Sequence, residues 1–133
     1  MRKIVGFVII GLFLSACASL LGQGEASNDV GYDRITVREL QNLMETEDFT
    51  LINVHIPLEG SIPETDIEIP YNEMENYVSL LPENKNEKII IYCRSGSMGD
   101  TASQTLVDLG FTDVSNLEGG YNLWKASGLP FEE

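Results

Sequence analysis

The chain has 133 residues, 21 of them acidic and 8 basic, giving a formal net charge of −13 with its one histidine neutral. So acidic a balance repels nucleic-acid phosphates and anionic lipid headgroups, which argues against a nucleic-acid partner and against a domain lying flat on a charged bilayer. The length suits one ordinary domain with a modest core, and no internal repeat is visible.

Arg2 and Lys3 precede an apolar run over residues 4–14, and the small residues Ser15 and Ala16 follow. This is the pattern of an export signal, and it is too short to span a bilayer, which takes about 20 apolar residues. Leu14-Ser15-Ala16-Cys17 resembles the lipobox of bacterial lipoproteins. The resemblance implies cleavage before Cys17 and diacylation of its sulfur. That would anchor the chain on the outer side of a bacterial cell membrane or outer membrane, and Ala18 and Ser19 offer no acidic retention signal. Losing Arg2 and Lys3 with a leader over 1–16 would deepen the net charge by two, from −13 to −15. Two cysteines in an exported protein would otherwise invite a disulfide. With Cys17 lipidated, Cys93 is the only free thiol, and a lone thiol in an oxidising compartment must be used or buried.

Residues 18–32 are rich in Gly, Ser, Ala and Asn without a period, so residues 17–32 read as a lipidated cysteine and flexible tether, and 33–133 as the folded domain. Thr36-Val37-Arg38-Glu39 has the form of a capping box, and Val37, Leu40, Leu43 and Met44 share a face of a helix ending near Glu47. Residues 49–54 read as a buried strand. Pro57, Gly60, Pro63 and Pro70 keep the next stretch in an irregular loop, and helical spacing returns over 72–81 with Met74, Tyr77, Val78 and Leu81.

Residues 88–100 organise the rest of the chain. Ile89, Ile90 and Ile91 form the continuous β-branched run of a strand buried on both faces of a parallel sheet, and helical spacing takes over from Asp100. Cys93 therefore sits at the carboxyl end of a strand, in a short polar loop before a helix. Open α/β sheets bind ligands there, and the loop's N–H groups would stabilise an anion or a thiolate. Ala102, Leu106 and Leu109 line the helix, which Gly110 closes at C′. Residues 114–117 form a last strand, Gly119-Gly120 a turn, and Tyr121, Leu123 and Trp124 a short final helix ended by Gly128 and Pro130. Strands separated by helices of this length imply right-handed crossovers and a parallel α/β sheet. Trp124 reads as core packing, and His55, without a Cys or Asp at ligand spacing, as a packed or hydrogen-bonded residue.

From about Ile35 to Phe131 the chain resembles a single rhodanese-like domain. The resemblance is carried in order by Leu51-Ile52-Asn53-Val54-His55 with Pro57, Gly60-Ser61-Ile62-Pro63, Ile69-Pro70-Tyr71, Ile91-Tyr92-Cys93-Arg94-Ser95-Gly96-Ser97, Leu109-Gly110-Phe111, and Leu117-Glu118-Gly119-Gly120 with Trp124 and Gly128-Leu129-Pro130. It implies a single α/β domain with a parallel sheet flanked by helices, and sulfurtransferase chemistry needing neither cofactor nor metal. Cys93 would take sulfane sulfur from thiosulfate or a persulfide, hold it as a persulfide, and pass it to a thiol, to cyanide or to a protein acceptor. Arg94, Ser95, Gly96, Ser97, Met98 and Gly99 would form the binding loop. Hydroxyl donors would come from Ser95 and Ser97, and backbone N–H groups would converge where Gly96 and Gly99 let the chain turn.

The sequence departs from the family pattern at three places. Asn53-Val54-His55 replaces a usual Asp-Val-Arg, so neutral hydrogen bonds should replace a charge pair. Met98 stands where many loops carry a cation, which disfavours thiosulfate as donor. Glu64-Thr65-Asp66 adds negative charge expected near the site. A phosphatase or arsenate reductase of similar loop design would need an arginine six residues after the nucleophile, where this chain has Gly99. The alternative from another class is a non-catalytic binding or sulfide-sensing module.

Overall fold

The computed structural model describes residues 31–133, so the expected leader and Cys17 lie outside the described residues. Five strands form one parallel sheet in the order β1-β5-β4-β2-β3. They are β1 (Asp33–Ile35), β2 (Thr50–Asn53), β3 (Ile67–Glu68), β4 (Ile89–Tyr92) and β5 (Val114–Leu117). The helices are α1 (Val37–Thr46), α2 (Ser97–Asp108) and α3 (Gly120–Ala126), with a 3-10 segment at Met74–Leu80. Among the described residues no helix is long and apolar enough to cross a membrane.

The isoleucine run makes β4 the middle strand because both its faces are covered. Alternation along the strand sends Ile89, Ile91 and then Cys93 to the face shared with Ala102, Leu106, Phe111 and Met74. Ile90 and Tyr92 go to the opposite face, against Leu40, Leu117, Tyr121 and Trp124. Each isoleucine is fully buried, and burial contributes about 1.5–3 kcal/mol per side chain before chain entropy is subtracted. This parity turns Cys93 toward α2 rather than toward α1.

Local signals set most of the element ends. At α1 the Thr36 side chain accepts from the Glu39 N–H at 3.1 Å while the Glu39 carboxylate accepts from the Thr36 N–H at 2.8 Å, the reciprocal pair expected of the capping box. At the end of α2, Phe111 N–H donates to Leu106 C=O and Gly110 N–H to Val107 C=O, a Schellman pair with Gly110 at φ +101°.

Three features differ from the sequence reading. Two edge strands appear, β1 and β3, each too short to show a period; β3 lies inside the stretch expected to be irregular and pairs with β2 at Ile52 and Asn53. The segment over 72–81 is 3-10 with a kink at Tyr77, and of its expected apolar face only Met74 and Leu81 are buried while Tyr77 and Val78 stay exposed. So little buried face does not sustain a regular α-helix, whose stability comes mostly from packing. Finally, α2 starts at Ser97, one turn earlier than the apolar spacing suggested, because its first turn faces the cysteine loop rather than the core.

Candidate active site

Cys93 directly follows the central strand and is 1% exposed. The backbone N–H groups of Gly96 and Gly99 both donate to its Sγ, at 3.0 and 3.3 Å. Loop and first helical turn thus curl around one sulfur, as the strand-to-helix spacing led us to expect. A cavity of about 210 Å³ opens beside it, lined by His55, Cys93, Arg94, Ser95, Ser97 and Met98.

The loop is held from three sides. At the start of α3, Tyr121 N–H donates to Cys93 C=O at 2.9 Å and Asn122 N–H to Arg94 C=O at 3.0 Å. From β5, Asn116 Nδ2 donates to Gly96 C=O and to Asp100 Oδ1, both at 3.0 Å. Asp100 Oδ1 also accepts from Tyr32 OH at 3.1 Å and from Arg34 Nη2 at 2.8 Å, which ties the first turn of α2 to β1 and to Tyr32, read from sequence as the last tether residue. The Tyr32 hydroxyl is pushed above its ordinary pKa, by burial first and then by its bond to Asp100. Gly99 packs so closely on Asn116 that an added Cβ would lie 2.1 Å from Oδ1, so this position has no room for the arginine of a phosphate-binding loop.

The electrostatics are balanced rather than strongly positive. Arg94 is half-exposed and its Nη1 lies 3.6 Å from Glu59 Oε2. Tyr121 OH donates to Glu59 Oε1, and His55 Nε2 is 3.7 Å from that same oxygen. The Tyr121 hydrogen bond, helped by Arg94 and His55, holds the Glu59 carboxyl below its usual range despite some desolvation. Burial pushes His55 below its ordinary value, Arg94 adds to this and Glu59 opposes it. Tyr121 is pushed upward by burial and by the Glu59 carboxylate. Its ring stands edge-on to His55, with centroids 5.6 Å apart.

The structure brings all seven residues read from the cysteine loop to one place, with different roles. Gly96 and Gly99 supply N–H donors; Ser95, Ser97 and Arg94 stand exposed at the cavity wall; Met98 is half-buried against the core on the α2 side. Asn53 makes the neutral bonds expected of it, donating to Gly60 C=O at 2.8 Å and Ser61 Oγ at 3.1 Å and accepting from His55 N–H. Trp124 packs in the core, and its Nε1 donates to Pro130 C=O. The expectation for residues 64–66 is corrected. Asp66 accepts from Leu51 N–H at 2.8 Å, so the segment is bound at the amino end of β2 and its charge stands away from Cys93.

Sequence reasoning missed His55, Glu59, Asn116 and Asp100 as parts of the site. Two of them left a trace. Asn116 is a lone amide in a fully buried four-residue strand, and His55 lies just past a strand that pairs with β4 in register, Asn53 beside Tyr92. Seeing the second requires knowing which strands are neighbours. Among the described residues no group of three or more His, Cys, Asp or Glu is placed to hold a metal ion.

Comparison with known proteins agrees with this fold. The model of the rhodanese-like domain matches residues 36–127. A sulfurtransferase of Allochromatium vinosum is 34% identical over 93 residues, covering 68% of this chain and 84% of that protein. The mouse thiosulfate sulfurtransferase/rhodanese-like domain-containing protein 3 is 30% identical over 106 residues, covering 68% of this chain and 66% of the relative. The crystal structure of a rhodanese-related protein from Thermoplasma volcanium superposes with a TM-score of 0.64 at 27% identity, covering 75% of this chain and 97% of that one. A family model spanning most of the described residues shows that the chain belongs to the rhodanese-like domain family, and its relatives support a function of the sulfurtransferase type.

Proposed function

We propose that the protein is a lipid-tethered, extracytoplasmic sulfurtransferase that carries sulfane sulfur as a persulfide on Cys93. The observation that carries this reading is the pair of N–H donors aimed at one buried Sγ. A thiolate is the nucleophile in such exchanges, and the same donors stabilise Sγ when it leaves. In the loading step Sγ attacks the sulfane sulfur of the donor, an Sγ–S bond forms, and the donor residue departs with the electron pair of the broken bond. In the discharge step a thiol or cyanide takes the outer sulfur and Sγ returns to the N–H pair. The displacement requires no metal or cofactor.

Arg94 faces Glu59, and Met98 contributes no charge, so the cavity offers little net attraction to a dianion. A low-molecular-weight or protein persulfide suits it better than thiosulfate. The lipobox-like Leu14-Ser15-Ala16-Cys17 supports a diacylated Cys17 holding the domain to the outer side of a bacterial membrane, and the acidic composition supports a domain that stands off that surface and has no nucleic-acid partner.

Incubation with a persulfide donor should add one cyanolysable sulfur atom to the wild-type protein and none to Cys93→Ser. Absence of loading with every donor would leave the non-catalytic binding or sulfide-sensing module. Intact-mass analysis of the membrane fraction should show a diacylglyceryl adduct on a chain starting at Cys17; a soluble chain cut elsewhere would remove the anchor from this reading.

A further inference from the structure

The sulfur-transfer reading assigns the nucleophile but leaves open what makes an acceptor thiol reactive, and the cavity wall contains a group that no step above uses. We infer that His55, oriented by Glu59, is the general base that deprotonates a thiol acceptor beside Cys93, so that thiols are the acceptor class of this site. The inference rests on that reading.

His55 is 8% exposed, lines the same cavity as Cys93, and no hydrogen bond reaches its ring nitrogens among the described residues. A buried imidazole nitrogen with no hydrogen bond is costly to maintain, and the nearest acceptor, Glu59 Oε1, lies beyond hydrogen-bond reach. Its Nε2 is closed to solvent and faces Glu59 Oε1 at 3.7 Å, while Tyr121 holds that carboxylate in place from the other side. A carboxylate on the Nε2 side favours the tautomer with the proton there, which leaves the lone pair on Nδ1 of a ring that lines the cavity. The charged and titratable groups facing the ring are Glu59, Arg94, Tyr121 and Cys93, and burial keeps the imidazole neutral and ready to accept a proton at neutral pH.

The acceptor RS–H gives its proton to the imidazole, and the imidazolium is stabilised by Glu59. The RS⁻ sulfur attacks the outer sulfur of Cys93–S–S⁻, the new S–S bond forms, and the Sγ–S bond breaks with its electron pair remaining on Sγ. The imidazolium returns the proton to the transferred sulfur, so RS–SH leaves and the Cys93 thiolate is regenerated with charge conserved and no change in oxidation state overall. Gly96 and Gly99 N–H groups receive the thiolate.

An ordinary thiol, pKa about 8.5, is only a few per cent ionised at pH 7, so a base on the enzyme has about ten-fold or more to gain there. An acceptor that is already a thiolate gains nothing from it. The test compares discharge of sulfur-loaded protein to 2-mercaptoethanol and to thionitrobenzoate, which is ionised at pH 7. His55→Gln should lower the 2-mercaptoethanol to thionitrobenzoate rate ratio about ten-fold at pH 7, and the deficit should close as pH passes the thiol's own pKa. Glu59→Gln, at an exposed position, should move the ratio in the same direction by less. Equal ratios in wild type and both variants, each still loading sulfur, would overturn the base assignment alone. Wild type that never loads sulfur would overturn the sulfurtransferase reading and this inference with it.

Discussion

The two ends of the sheet hold hollows of opposite character. At the amino end of β2, Met44, Glu47, Asp48, Phe49, Glu64 and Asp66 surround about 420 Å³; at the carboxyl end, the cavity beside Cys93 has about half that volume. The larger hollow is lined by acids, and its Asp66 is already committed to Leu51 N–H. The smaller one gathers a buried thiol, two N–H groups aimed at it, and an imidazole whose buried Nε2 makes no hydrogen bond among the described residues. Uncommitted polar groups converging on one atom, rather than volume, mark the reactive end. The parallel sheet explains the placement, since every strand delivers its following loop to the same edge.

The contrast is broken most severely at Gly120. It has φ +58°, and an added Cβ would meet Cys93 O at 2.4 Å and Arg94 O at 2.5 Å. Gly120→Ala should destabilise the fold by about 2–4 kcal/mol, from overpacking and a left-handed backbone together, and should cost sulfur loading through the displaced loop. Denaturant unfolding and loading measured on the same sample check both halves.

Met98→Arg sharpens the contrast by giving the carboxyl end a net cation. Turnover with thiosulfate should rise a few-fold relative to a neutral persulfide donor, and the gain should shrink as salt shortens the Debye length below about 8 Å. Because Met98 is half-buried against the core, some stability should be lost as well. Equal gains with both donors would show that shape, not charge, limits the site.

Acid should act on the Cys93 end earlier than on the bulk of the carboxylates. With the folded pKa of His55 below its unfolded value of 6.5, the unfolded chain binds the extra proton, so stability is fully present above about 6.5 and falls as pH drops through the folded value. Glu59, lowered from 4.5, loses its contribution only below that pH. His55→Gln should therefore flatten the stability profile just below about pH 6.5 and leave the steeper loss through the carboxylate range, as followed by thermal unfolding across pH.

The smallest effect belongs to the amino end. Glu64 is the one described non-glycine residue at positive φ, +75°. Glu64→Gly should relieve that strain against a more flexible unfolded chain, for a net gain of about 0.5 kcal/mol, without changing sulfur transfer. A change in turnover would mean that the two ends are coupled.

The sequence alone determined what depends on local chemistry. The Thr36 and Glu39 cap, the Gly110 stop, the triple-isoleucine strand and the cysteine loop were legible because each acts through neighbours within a few residues, or through a strand's need for cover on both faces. The edge strands β1 and β3 were not legible, since two or three residues carry no period and exist as strands only by pairing with β5 and β2. His55 shows the same division at the site. As a residue it read as packing, and only the register that lays β2 beside β4 brings it to the thiol's cavity with Glu59 and Tyr121 behind it. Asn116 and Asp100 likewise became loop supports when β5 took its place beside β4. A nucleophile and its loop can be read along the chain because one segment contains them. Groups that surround that nucleophile from other strands are chosen by the order in which the sheet assembles, and that order is a property of the tertiary structure.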